Sequence, residues 1–167
     1  MALYCLAGLP NEADGTLLLE WLAEEGVLEV LDARELKLLE EPDLPESLLN
    51  ELSWKQESLY ALCWAAGIVQ EMPWPDSECD LSDVFPEIPA EVPIGSFRSS
   101  LALREKWVLL EALDLHYNLH ASLCHPELWG GRDPETVLSA GVVLERRHAL
   151  EWLCSGMLEW DEVSLDT

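Results

Sequence analysis

Positive charge is what this sequence has least of. Nine Lys and Arg stand against 33 Asp and Glu in 167 residues, a formal net charge of −24. Such a surface repels nucleic-acid phosphates and anionic lipid headgroups, which both recruit Lys/Arg-rich faces. No apolar run approaches the ~20 residues that span a bilayer. The stretch Met1–Leu9 is too short for a secretory signal and has no basic n-region, since the first basic residue is Arg34. Walker, GxGxxG and GxSxG motifs are missing, so neither a phosphate cradle nor a nucleophile elbow is encoded. The five cysteines (Cys5, Cys63, Cys79, Cys124, Cys154) form no CxxC pair and are odd in number. They read as reduced, mostly buried thiols of a cytoplasmic protein. β-branched residues are few, which leaves helix as the dominant pattern.

The chain does have enough apolar residues, 49%, for a real core. A length near that of one domain argues for a single unit over 1–167 rather than two. The acidity is uneven. Residues 1–97 hold 21 acids and 3 bases, and residues 98–167 hold 12 acids and 6 bases. No Lys or Arg lies between Lys55 and Arg98. A one-sign field of this kind costs stability through self-repulsion and raises the on-rate of a cationic partner, by ~10–1000-fold at low salt.

Apolar spacing predicts a succession of helices. Met1–Leu9 is one apolar helical stretch, stopped by Pro10. Asp14–Glu25 follows, with Leu17, Leu18, Trp21 and Leu22 on one stripe and Gly26 as its C-cap. Asp32 and Glu35 resemble a capping box for a helix to about Glu40. Ser47 caps a helix that continues through Trp54–Ala66 and ends at Gly67. Residues 70–95 change character: Pro73, Pro75, Pro86, Pro89 and Pro93 deny a long helix. There, acids alternate with Trp74, Leu81, Val84, Phe85 and Ile88, which are expected to staple an acidic loop to the core. Ser99–Cys124 carries Leu103, Trp107, Leu110, Asp114, Tyr117, Ala121 and Cys124 on one stripe and Val108, Leu115, Leu119 and Leu123 on another, so it is expected to be central. Asp133–Pro134 opens a last helix to about Cys154, with a break at Gly141. Its inner face holds Val142, Val143, Ala149, Leu150, Trp152 and Leu153, and Trp160 pins the tail. The fold class expected is all-α, a compact helical bundle with a long acidic, proline-rich loop.

Few constellations suggest chemistry. His116 and His120 share a helix face with His125 nearby, a spacing zinc uses with a third ligand. The residues between them lack the Glu of a zinc protease, so they read as two polar positions on a helix rim, with no metal or cofactor. Asp114 sits inside an apolar stripe, and a buried carboxylate needs a partner. Arg146 or Arg147 is expected to meet it with Glu145 nearby, as a structural ion pair. No nucleophile accompanies the pair, and no catalytic residue is assigned. Trp21, Trp54, Trp64, Trp107 and Trp152 are expected in the core. Any of Trp74, Trp129 and Trp160 left exposed would be an interface anchor.

Four segments resemble domain-of-unknown-function family 4272 (DUF4272). They are Trp54-Lys-Gln-Glu57-Ser-Leu59 with Leu62-Cys-Trp64, Asp114-Leu-His-Tyr117-Asn-Leu-His120, Val143-Leu-Glu145-Arg146-Arg147-His-Ala149-Leu150-Glu-Trp152-Leu153, and Trp160-Asp161-Glu-Val163. The resemblance covers about residues 47–167. Asn118 stands where the family pattern has arginine. The resemblance implies a mostly helical bacterial domain, brings no established activity, and suggests immunity proteins that accompany secreted toxins.

Charge and resemblance together lead to an interaction protein rather than an enzyme. It is expected to bind and neutralise a cationic nuclease toxin, with no nucleic-acid or membrane partner. Asp76, Glu78, Asp80, Asp83 and Glu87 would steer and Trp74 would anchor, with Asp14, Glu20, Glu24 and Glu25 as a second acidic surface. The rival expectations are an enzyme with a site near Asp114, His116, His120 and Arg146, and a regulatory scaffold without a toxin.

Overall fold

The structure is a computed structural model that describes residues 19–31, 33–40, 45–81, 84, 93–156 and 159–166. Among them there is helix and no strand. Helix runs through residues 19–24, and after it come α1 (Ala33–Glu40), α2 (Glu46–Ala65), α3 (Ile94–Ser100), α4 (Lys106–Cys124) and α5 (Ala140–Ser155), with short 3₁₀ turns at Leu28–Val30, Pro126–Trp129, Pro134–Thr136 and Trp160–Glu162. The chain divides into two compact units, Met1–Gln56 with Leu81–Leu101, and Glu57–Asp80 with Ala102–Thr167. The Met1–Leu9 helix, the Asp32 half of the capping box, Cys5, Asp14, Asp83, Phe85, Glu87 and Ile88 lie outside the described residues.

In the first unit, Leu22 and Leu39 are buried together, with Leu19, Trp21, Val27, Leu28 and Leu31 packed against them. The helix through 19–24 ends as the sequence predicts. Gly26 takes φ +69°, the left-handed conformation only glycine adopts without strain. Its neighbour Val27 donates back to the Leu22 carbonyl at 2.8 Å, closing a Schellman-type cap. Ser47 is not a cap: α2 begins a residue earlier, and the Pro45 carbonyl accepts the amides of Leu48 and Leu49. Leu81 is fully buried as an anchor of the proline-rich stretch. That stretch does not stay non-helical to its end. α3 starts directly after Pro93, and the Glu25 carboxylate accepts the Ile94 amide at 2.8 Å.

In the second unit, Trp64, Ala65, Leu109 and Leu150 form the core, flanked by Val69, Met72, Val108, Ala112, Leu113, Leu153 and Cys154. The long helix expected from Ser99 begins only at Lys106, and the reason lies at the end of α2. Residues 101–105 run extended so that the Ala102 and Arg104 amides reach the Ala66 and Ala65 carbonyls at 3.1 and 2.9 Å. The Arg104 side chain completes this cap, donating to the carbonyls of Trp64 (2.7 Å), Val69 (2.9 Å) and Gln70 (2.8 Å). Its guanidinium also lies 4.8 Å from the Trp64 ring centre. A cation there meets both the orphan carbonyls and the negative end of the helix dipole. Gly67 permits the close approach: φ is +76°, and a Cβ there would stand 3.0 Å from the Ala102 oxygen.

α4 and α5 pack along each other. Between them Asp133 caps the turn Pro134–Thr136 by accepting the Glu135 amide at 3.0 Å, as expected of an Asp-Pro start. The helix then breaks at Val137–Ser139 rather than at Gly141, because the Ser139 amide is diverted to the Pro75 carbonyl at 2.7 Å. α5 buries Val142, Val143, Ala149 and Leu150 as its pattern predicts. α4 departs from expectation. Its buried residues are Leu109 and His116, while Trp107, placed in the core by its spacing, is 62% exposed and Leu110 is 44% exposed. Among the described cysteines none is in a disulfide. Cys63 is buried, Cys79 and Cys154 are half-buried, and Cys124 is exposed against expectation.

Candidate functional site

The centre of the second unit is charged. Glu57 on α2 and Arg146 on α5 are both fully buried, and Arg146 Nε donates to Glu57 Oε2 at 2.9 Å. One residue further on, the Ser58 hydroxyl donates to the Glu145 carboxylate at 2.7 Å. The pairs 57–146 and 58–145 run in opposite order, so the two helices pair locally in antiparallel register. The carboxylate expected opposite Arg146 was Asp114. That residue is exposed on α4, so it needs no interior partner, and Glu57 takes the role. Glu145 does lie beside the pair, on Ser58.

The same two side chains hold a loop. Arg146 Nη1 donates to the Pro73 carbonyl at 2.6 Å, and Glu57 Oε1 accepts the Cys79 amide. Between these points the Pro75 carbonyl takes the Ser139 amide, and the Trp74 indole donates to the Val137 carbonyl at 2.9 Å. Four bonds thus fix residues 73–79 from beneath, and Pro75 is buried in the process. Burial and the nearby Glu57 charge push the Cys79 thiol up, out of the reactive range.

The outer side of this loop is the surface that the sequence singled out. Trp74 remains 50% exposed despite its indole bond, and Val137 beside it is also exposed. Asp76, Glu78 and Asp80 are exposed along the loop, and Asp133 and Glu135 are exposed on the turn where Trp74 docks. Of the second acidic surface, Glu20 and Glu24 are exposed, and Glu25 is half-buried at the start of α3. Val137, Asp133 and Glu135 were not foreseen. The indole bond, which spans 63 positions, and the neighbouring Ser139–Pro75 bond bring their segment to Trp74.

Arg147 is the second clamp. It is buried, and its guanidinium lies 4.6 Å from the Tyr117 ring centre. It donates to the Leu165 and Asp166 carbonyls, both at 3.1 Å, and to His120 Nδ1. Glu151 stands 3.4 Å away as an i,i+4 partner. Trp160 completes the hold on the tail. It meets His148 edge-on at 4.4 Å and Trp152 at 5.5 Å, and its carbonyl meets His148 Nε2 at 3.1 Å.

The two i,i+4 histidines serve different neighbours. His116 is only 2% exposed, not on a rim. Its Nδ1 meets the Ala112 carbonyl at 2.8 Å, which can only accept, so Nδ1 carries a proton and donates it. Burial lowers its proton affinity, the Ala112 bond opposes this in part, and the Arg146 charge adds to it. His120 accepts from Arg147, and burial with that charge lowers it as well. His125 is exposed and pairs with Glu127 at 3.0 Å. Among the described residues, no three His, Cys, Asp or Glu gather to hold a metal ion. Asp114, His116, His120 and Arg146 do not share one exposed cleft either: the first is on the surface, while the last three are engaged as described.

Glu57 was missed in the sequence although its signal is present. It heads the run Glu57, Ala61, Trp64, Ala65, spaced i, i+4, i+7, i+8, and every member is buried. Small alanines concealed this stripe behind the leucines Leu59 and Leu62.

These features define a helical domain in which buried arginines clamp non-helical segments onto the core. The chain belongs to the family described as domain of unknown function DUF4272, whose profile matches residues 1–163. The N-terminal segment is therefore part of the family as well, beyond the 47–167 region whose motifs carried the resemblance. No curated protein and no solved structure matches the chain.

Proposed function

We propose that this chain is a binding protein of the cytoplasm that neutralises a cationic protein, in the manner of an immunity protein against a secreted nuclease toxin, and that it performs no chemistry of its own. The observation that carries this reading is the braced loop 73–79. A half-exposed tryptophan is held by its indole to the Val137 carbonyl, and the two segments that this bond joins expose carboxylates at Asp76, Glu78, Asp80, Asp133 and Glu135. Aromatic anchors rimmed by charge dominate binding hot spots, and a loop fixed before contact loses little entropy on docking. A nuclease cleft is shaped for phosphates, and clustered carboxylates on a fixed loop present a matching charge. No helix among the described residues is long and apolar enough to cross a membrane.

Co-expression with the product of an adjacent toxin-like reading frame tests the reading. This chain should relieve the toxicity and co-purify with that product. Trp74→Ala should weaken the complex by ~10-fold or more, as removal of an anchor does. Asp76→Lys with Glu78→Lys should slow association by about tenfold at low salt and by less at high salt. A complex indifferent to all three changes would remove this loop from the account.

A further inference from the structure

The helix α4 leaves much of one side exposed. Its inward side holds Leu109 and His116, with Val108, Ala112 and Leu113 against the core. On the opposite side run Trp107, Leu110, Asp114, Tyr117, Ala121 and Cys124, at successive spacings of three, four, three, four and three residues. This is the a/d spacing by which two helices pair through knobs and holes, sustained over ~26 Å of helix. Trp107 is 62%, Leu110 44% and Tyr117 41% exposed. Tyr117 is also held in place, since the Arg147 guanidinium covers one side of its ring. A soluble protein rarely shows so many large apolar groups in register without a use for them.

We propose that this seam docks an amphipathic helix of a partner protein that carries Lys or Arg opposite Asp114. Asp114 decides the occupant. It takes a core position of the seam, where a carboxylate loses water on pairing and needs a cation in return. A polar group at one such position selects partner and register. Glu111, exposed on the flank of the seam, extends the same preference. A second copy of this chain does not fit: in parallel pairing Asp114 meets its own image, and in antiparallel pairing it meets an apolar position. Neither supplies a cation, and each copy brings a net charge of −24. The seam shares no residue with the Trp74 loop, and it shares with the proposed function only the positive character of the partner.

The probe is a designed, fluorescently labelled helical peptide of three heptads. It has leucine at the a and d positions, one lysine at the central a position, and lysine and glutamine elsewhere. A scrambled peptide of the same composition and a peptide with glutamate at the central a position are the controls, read by anisotropy near physiological salt. The lysine peptide should bind at least tenfold more tightly than both. Trp107→Ala and Leu110→Ser should each remove at least tenfold of that affinity. Asp114→Lys should transfer the preference to the glutamate peptide, while Trp74→Ala should change nothing. Trp107, Leu110 and Asp114 are exposed, so circular dichroism and melting of the seam variants should match the parent. The proposal is overturned if the scrambled peptide binds equally or if the seam variants bind unchanged. It is also overturned if Trp74→Ala removes the binding. Sedimentation that shows a dimer of this chain dissolved by Leu110→Asp would overturn it too.

Discussion

Arg146 and Arg147 are neighbours on one helix, both buried, and they hold different things. Arg146 is neutralised by Glu57, and together they fasten the loop 73–79 at Pro73 and Cys79. Arg147 relies mainly on uncharged groups, the Leu165 and Asp166 carbonyls, His120 and the Tyr117 ring, with Glu151 at the edge. One clamp is an ion pair with a loop attached. The other is a cation solvated by the backbone carbonyls of residues 165 and 166. The difference predicts how each fails. A buried pair that loses one member leaves the other stranded, whereas a cation held by dipoles leaves behind groups that water can satisfy when the tail lifts.

The largest expected effect comes from splitting the ion pair. Glu57→Ala should cost ~3–5 kcal/mol, a fall in Tm of roughly 6–20 °C for a protein of this size, read by thermal or urea unfolding. Arg147→Met should cost less, ~1–3 kcal/mol, and its mark should be local. Hydrogen exchange should quicken at 163–166 and stay unchanged at 73–79. A smaller effect concerns acid. The folded pKa of His116 lies below the ordinary value of 6.5, chiefly through burial. Well above pH 6.5 both states are neutral and the group contributes nothing to pH dependence. As pH falls through 6.5 the unfolded chain takes the proton first, so stability declines until the folded pKa is passed. His116→Gln should flatten that part of a stability-versus-pH curve relative to the parent. A parallel decline in both proteins would assign it to other groups, His120 foremost. The smallest effect is chemical. Burial raises the Cys63 thiol to about 11, so alkylation at neutral pH should label exposed Cys124 and spare Cys63, read by peptide mass.

Much of the helical layout was legible because apolar spacing and glycine or proline boundaries are local signals. Gly26, Gly67 and Asp133-Pro134 mark ends that the structure keeps, and the inner face of α5 follows its pattern. Long-range carbonyl capture was not legible. Arg104 moves the start of α4 by reaching back to Trp64, Val69 and Gln70, and nothing within 99–106 announces those partners. The stripe through Trp107 and Asp114 was correctly drawn as a stripe and wrongly assigned to the interior. Periodicity shows that a helix has an apolar side but not which of two such sides the rest of the chain covers. Asp114 was the clue, since a carboxylate in a stripe favours the wet side unless a cation is fixed nearby. At the candidate surface, Trp74, Asp76, Glu78 and Asp80 were foreseen from charge and loop position. The brace beneath them was not, because Glu57 and Arg146 are 89 residues apart.

The account rests on the buried pair acting as a brace for the Trp74 loop rather than as a source of stability alone. Replacing both members, Glu57→Leu with Arg146→Leu, separates these roles, since exchanging a buried ion pair for apolar groups is often neutral or stabilising by ~1–4 kcal/mol. Amide hydrogen exchange of this double variant is the direct measurement. The expected result is a melting temperature near that of the parent, with faster exchange confined to residues 73–79 and the tail at 163–166 still protected. Unchanged protection of that loop in a folded double variant would contradict it.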